Sequence, residues 1–129
     1  MSENEIAKVV VDTSIKIHQK LGPGLLEHVY EVVLAHELRK WGWKCERQVP
    51  VPIQYDNITF EEGYRIDLLV ENKVIIEIKS ITRVEKVHKK QLLTYLKLKN
   101  CQLGLLLNFG ESLMKDGISR IVNELKNDQ

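Results

Sequence analysis

Residues 65–79 read R-I-D-L-L-V-E-N-K-V-I-I-E-I-K, and the rest of the chain is read outward from them. Two apolar runs, 66–70 and 74–78, flank a polar break at Glu71-Asn72-Lys73, which is the pattern of a β-hairpin. Asp67, Glu77 and Lys79 interrupt it. Side chains alternate faces along a strand, so Glu77 and Lys79 share a face. A loop centred on Asn72 sets Asp67 across from Glu77, whereas a two-residue loop would put them on opposite faces. The spacing therefore predicts three loop residues or a bulge. The other face is wholly apolar: Ile66, Leu68, Val70, Val74, Ile76 and Ile78. Leu69 and Ile75 accompany the charges, so both faces are expected to be covered. Two carboxylates and an ammonium there are costly to desolvate unless paired or metal-bound. Two acids at cross-strand distance can share one divalent cation, which takes oxygen ligands. A structural salt-bridge cluster, with Lys79 neutralising either acid, explains the same charges, and the strand charges alone favour it.

The whole chain sets the bounds. Its 129 residues suit a single domain, 1–129, with a real core. Hydrophobic and charged contents of 43% and 29% are those of an ordinary globular protein. No apolar run approaches the roughly 20 residues that span a bilayer, so no membrane partner is expected. The opening M-S-E-N-E lacks the basic and apolar regions of a secretory signal. Cys45 and Cys101 have no zinc or iron–sulfur spacing, and read as reduced thiols of a cytoplasmic protein. A net charge of +1 gives no global basic field, so any nucleic-acid surface must be local.

Taken in order, Ser2 and Glu5 have capping-box spacing, and apolar residues at helical intervals predict a helix over 3–20, stopped by Gly22-Pro23-Gly24. His18 reads as a cap on its last carbonyls. A second helix is expected over 25–41, with Leu26, Val29, Tyr30, Val33, Leu34, Leu38 and Trp41 buried and Gly42 closing it. Glu27 suits the positive end of that helix dipole; its functional reading is a third carboxylate aimed at the hairpin. Residues 48–55 alternate and carry Pro50 and Pro52, which predicts an edge strand. A strand over 58–70 then enters the hairpin, with Gly63 marking a bulge or a close backbone approach. A helix follows over 86–99, with Gln91 and Tyr95 stacked one turn apart. Lys86, Lys89 and Lys90 make it the most basic segment, either a solvated face or a phosphate-tracking surface. The apolar run 103–109 reads as a buried strand, parallel to the Glu77 strand after a right-handed crossover. Residues 118–125 read as a short C-terminal helix. The expected fold is α/β, a mixed sheet with helices on both faces.

Asp67, nine residues, then Glu77-Ile78-Lys79 resembles the D…(D/E)-x-K signature of the PD-(D/E)XK nuclease superfamily, although Ile66 stands where a Pro often precedes the Asp. The αβββαβ order of residues 25–109 is similar to that superfamily's restriction-endonuclease-like core, here with an added N-terminal helix and the short C-terminal one. Gln91 to Tyr95, Q-L-L-T-Y, resembles the Q-x-x-x-Y motif of its RecB-like members. Residues 24–30, G-L-L-E-H-V-Y, resemble the motif that names the GxxExxY family, as do L-G-P-G-L-L-E, R-I-D-L-L-V and L-L-N-F-G.

The resemblance implies a metal-dependent nuclease hydrolysing nucleic-acid phosphodiesters with Mg²⁺ or Mn²⁺. Asp67, Glu77, the Ile78 carbonyl and Glu27 would hold the ion. Lys79 would orient the attacking water or stabilise developing charge, and Gln91 and Tyr95 would position a phosphate or Lys79. Tyr30 could brace Glu27. Lys86, Lys89 and Lys90 would contact the nucleic acid, DNA being favoured over RNA. The small size argues for a homodimer or a partner protein. The alternatives are a non-catalytic nucleic-acid-binding or accessory module that keeps the nuclease fold, and a purely structural ion-pair cluster.

Overall fold

The computed structural model describes residues 1–61 and 63–124. Helix α1 spans Glu3–Leu21, with Ser2 and Glu5 forming the expected capping box. Helix α2 spans Glu27–Arg39. Strands β1 (Cys45–Pro50), β2 (Ile53–Tyr55), β3 (Ile58–Phe60), β4 (Arg65–Val70) and β5 (Val74–Lys79) follow. Helix α3 (Lys86–Lys99), β6 (Leu103–Asn108), a 3₁₀ turn (Met114–Gly117) and β7 (Ile118–Val122) complete the chain. The main sheet runs β1-β4-β5-β6-β7 and is antiparallel except where β5 and β6 run parallel. This is the expected α/β fold, a mixed five-stranded sheet consistent with a restriction-endonuclease-like core.

The sheet has helices on both faces because both faces are apolar. Leu68, Val70, Ile76 and Ile78 pack with α1 and α2 around Tyr30 and Phe109, whose rings stack 4.3 Å apart. Leu69, Ile75 and Leu106 pack under Leu92, Tyr95 and Leu96 of α3. Ile66, expected on the first face, joins this second cluster. β6 is buried along its whole length, as a central strand covered on both sides must be.

Several expectations are corrected. The short C-terminal helix is instead strand β7, antiparallel to β6; edge pairing on the exposed side of β6 satisfies more backbone groups than one helical turn could. Leu125 lies outside the described residues. The proposed strand over 48–55 divides at Val51-Pro52, and the one over 58–70 yields two strands, one ending at Phe60 and the other beginning at Arg65. Their distal parts, β2 and β3, form a separate two-stranded hairpin. Pro52 has no N–H for a ladder, and Gly63 at φ 96 turns the chain rather than bulging a strand. The buried stripe of α2 is Tyr30, Glu31, Leu34, Ala35 and Leu38, while Leu26 and Trp41 are exposed. His18 does not cap α1; its Nε2 lies 2.8 Å from the Glu111 carbonyl across the fold.

Candidate functional site

The hairpin has the predicted loop. Val70 pairs with Val74 across three residues, and Glu71 and Asn72 take φ of 52° and 55°. The paired register ends at Leu68 and Ile76. One step further, Asp67 and Glu77 stand opposite each other and exchange side-chain bonds for ladder bonds. The Asp67 N–H donates to Glu77 Oε2 at 2.9 Å, and the Ile78 N–H donates to Asp67 Oδ2 at 2.8 Å. Each carboxylate is thus fixed by the other strand's backbone where the strands part.

Burial dominates the electrostatics. Glu77, 7% exposed, has its pKa pushed up to about 8, first by desolvation and then by the Asp67 charge. Desolvation also raises Asp67, and Glu31 adds to it. Lys79, half-buried on the same strand, pulls both down without offsetting burial. No ion pair or hydrogen bond joins Lys79 to either acid among the described residues, so the structural salt-bridge reading lacks its bridge.

The backbone that carries Lys79 is firmly held. Its carbonyl accepts from the Phe109 N–H at 2.8 Å. Buried Asn108 accepts from the Ile81 N–H and donates back to the Ile81 carbonyl, at 3.0 and 2.9 Å. The Ser80 N–H donates to Glu27 Oε2 at 3.2 Å, and the Ser80 hydroxyl donates to the Leu25 carbonyl at 2.6 Å. Glu27 therefore stands at the head of α2 beside the residue after Lys79. It is solvent-exposed, yet near enough for its charge to raise Asp67. Tyr30 does not brace Glu27 directly: its hydroxyl donates to the Gly22 carbonyl at 2.5 Å and accepts from the Leu25 N–H at 3.1 Å. It closes the turn that delivers Glu27.

Tyr95 is buried from α3 over Leu69 and Ile75, and burial first, then the Glu77 and Asp67 charges, raises its pKa. Gln91, one turn earlier, is exposed and makes no hydrogen bond among the described residues. Lys86, Lys89 and Lys90 are exposed on the first turns of α3.

Two site residues escaped the sequence reading. Glu31, 4% exposed, is paired by Arg47, with Nε and Nη2 both 2.9 Å from Oε2. Gln48 donates to Glu31 Oε1 at 2.7 Å and reaches Asp67 Oδ1 at 3.4 Å, from a backbone at φ 53. A non-glycine residue at positive φ in a strand is uncommon, and here it turns an amide toward two acids. The available signal for Glu31 was its place one turn after Glu27 amid apolar residues.

The donor set fits a hard cation. Asp67 Oδ2 and Glu77 Oε2 are used by the backbone; Asp67 Oδ1 has only the long Gln48 contact, and Glu77 Oε1 has no donor among the described residues. A buried and a half-buried acid with free oxygens and raised pKa values call for positive charge. Among the described residues no third His, Cys, Asp or Glu joins them in a ready metal-binding group.

A family model described as the PD-(D/E)XK nuclease superfamily matches residues 4–121. The chain belongs to that superfamily. Enzymes of this superfamily are nucleases and generally use divalent metals. Among solved structures, the crystal structure of SSO0001 is similar in fold, with a TM-score of 0.52 at 24% identity over 78% of this chain. This chain spans about half of that one, 52% of its length. Among curated proteins none matches the chain. No described helix is long and apolar enough to cross a membrane.

Proposed function

We propose that this protein is a nuclease of the GxxExxY type that hydrolyses nucleic-acid phosphodiesters with Mg²⁺ or Mn²⁺. The observation that carries the reading is the interlocked Asp67–Glu77 pair beside Lys79, which has no ion pair among the described residues. Asp67, Glu77 and the Ile78 carbonyl would hold the ion, with Glu27 at the margin contributing directly or through water. When bound, the ion supplies Lewis acidity and countercharge to the phosphate. Lys79 has three donors and no acceptor, so it orients the attacking water or stabilises charge on the phosphoryl oxygens. The pinned backbone at Lys79 and Ile81 holds that ammonium in register with the acids. Tyr95 donates toward the phosphate or Lys79, and Gln91 is free to do the same. Lys86, Lys89 and Lys90 track the backbone of the nucleic acid, DNA in preference to RNA. The chain acts as one domain, 1–129, and its small surface favours a homodimer or a partner protein. Two buried free thiols, Cys45 and Cys101, support a reducing cytoplasmic setting.

The test is a cleavage panel on single- and double-stranded DNA and RNA with Mg²⁺ and Mn²⁺. Wild type should cut at least one substrate. Lys79→Ala should abolish cutting while leaving binding in Ca²⁺ largely intact. Lys79→Arg should also fail, because a planar guanidinium does not replace a compact ammonium. The competing reading, a non-catalytic binding module, is favoured by one observation: no third acid completes the Asp67–Glu77 pair among the described residues. Binding without cleavage under every metal condition would establish it.

A further inference from the structure

Beside the carboxylates lies an open groove of about 530 Å³ between the β2–β3 hairpin and α3. Ile53, Phe60 and Tyr64 form one wall, and Gln91, Tyr95 and Leu98 the other. The hairpin spends little of its apolar surface on the core: Tyr55, Ile58 and Phe60 are 73%, 67% and 50% exposed, and Tyr64 is 42% exposed. Such a patch marks a binding surface. Phe60 and Tyr64 meet edge-to-face, ring centres 5.9 Å apart.

Two features say what the groove takes. Tyr95 is shared: it lines the groove and packs with Leu69 and Ile75, which stand on the same sheet face as Asp67 and Glu77, so the groove opens beside the candidate active site. The helix beside it is basic. Gln91, Tyr95 and Leu98 form one stripe of α3, and Lys90 and Lys97 stand one position before the first and last of them. An apolar aromatic slot flanked by cations matches a strand whose bases stack and whose phosphates run alongside. We propose that this groove seats an unpaired base of a single-stranded nucleic acid against Phe60 and Tyr64, with the adjoining phosphate at Asp67 and Glu77. The assignment of that phosphate rests on the nuclease reading above. A duplex keeps its base faces stacked on one another and cannot offer one to the slot.

The test compares labelled oligo-dT and oligo-rU with abasic strands of equal length, by fluorescence anisotropy in Ca²⁺. At least one intact strand should bind about 10-fold or more tightly than its abasic counterpart. Phe60→Ala and Tyr64→Ala should each remove roughly 5- to 100-fold of that advantage and leave abasic binding unchanged, while Phe60→Tyr retains it. These side chains are exposed, and circular dichroism of each variant confirms that it is folded. Equal affinity for intact and abasic strands, or no binding of either, overturns the proposal. So does sedimentation of wild type as a dimer that Phe60→Ala disperses, without base dependence; the groove is then an interface between copies. Cleavage in Mn²⁺ is scored separately: base-dependent binding without cutting keeps the groove and rejects the nuclease, and cutting without base dependence does the reverse.

Discussion

Glu77 ionises against its surroundings, because burial and the Asp67 charge push its pKa up to about 8. A carboxyl whose folded pKa is raised binds its proton more tightly folded than unfolded, so its stabilising effect is full below the ordinary carboxyl range and is lost as pH rises through the folded value. For Glu77 that window runs from 4.5 to about 8. Metal-free protein should therefore lose stability across it, by a few kcal/mol at most. Glu77→Gln keeps an acceptor for the Asp67 N–H and should flatten the loss, measured by urea unfolding at successive pH values in EDTA. Asp67→Asn should likewise make the metal-free protein more stable above about pH 8, where both carboxyls are charged, since it removes one of two crowded charges and keeps an oxygen for the Ile78 N–H. A fall in its midpoint would show that the carboxylate is stabilising as it stands.

At the scale of elements, α3 has two jobs. Leu92 and Leu96 lock it to the sheet, and Gly104 of β6 admits that contact: a Cβ there would meet Leu92 Cγ and Cδ1 at 2.9 Å. Gly104→Ala should cost about 1–3 kcal/mol by overpacking, read from thermal unfolding. The first turns of α3 present Lys86, Lys89 and Lys90 to solvent. Replacing all three with Ala should weaken nucleic-acid binding and reduce the slope of log K against log salt by about 2, with cleavage at saturation little changed. An unchanged slope would make them an ordinary solvated face.

For the whole molecule, the acids and the cation they call for are linked to folding. Mn²⁺ at about 100 times its dissociation constant should add roughly 2.7 kcal/mol, on the order of 10 °C in melting temperature for a domain of this size. Asp67→Ala and Glu77→Ala should abolish most of that shift. Unchanged shifts and unchanged Mn²⁺ affinity by calorimetry in both variants would remove the metal site from this end of the sheet.

The sequence by itself determined whatever depends on local period and on neighbouring residues. The capping box of α1, the limits of α3, the three-residue loop and the Asp67–Glu77 register follow from spacing within a few residues, and the superfamily from motifs written along the chain. The tertiary structure decided whatever depends on which surfaces meet. Residues 118–122 are a strand because β6 offers them an edge, though their own pattern also fits a helix. Glu31 enters the site because α2 turns it inward against Arg47 and Gln48, and its charge is tolerated only with those partners. Gln48 holds its positive φ through contacts with acids 17 and 19 residues away. The aromatic groove exists because β2 and β3 leave the main sheet and fold beside α3, a placement no periodicity along the chain could encode.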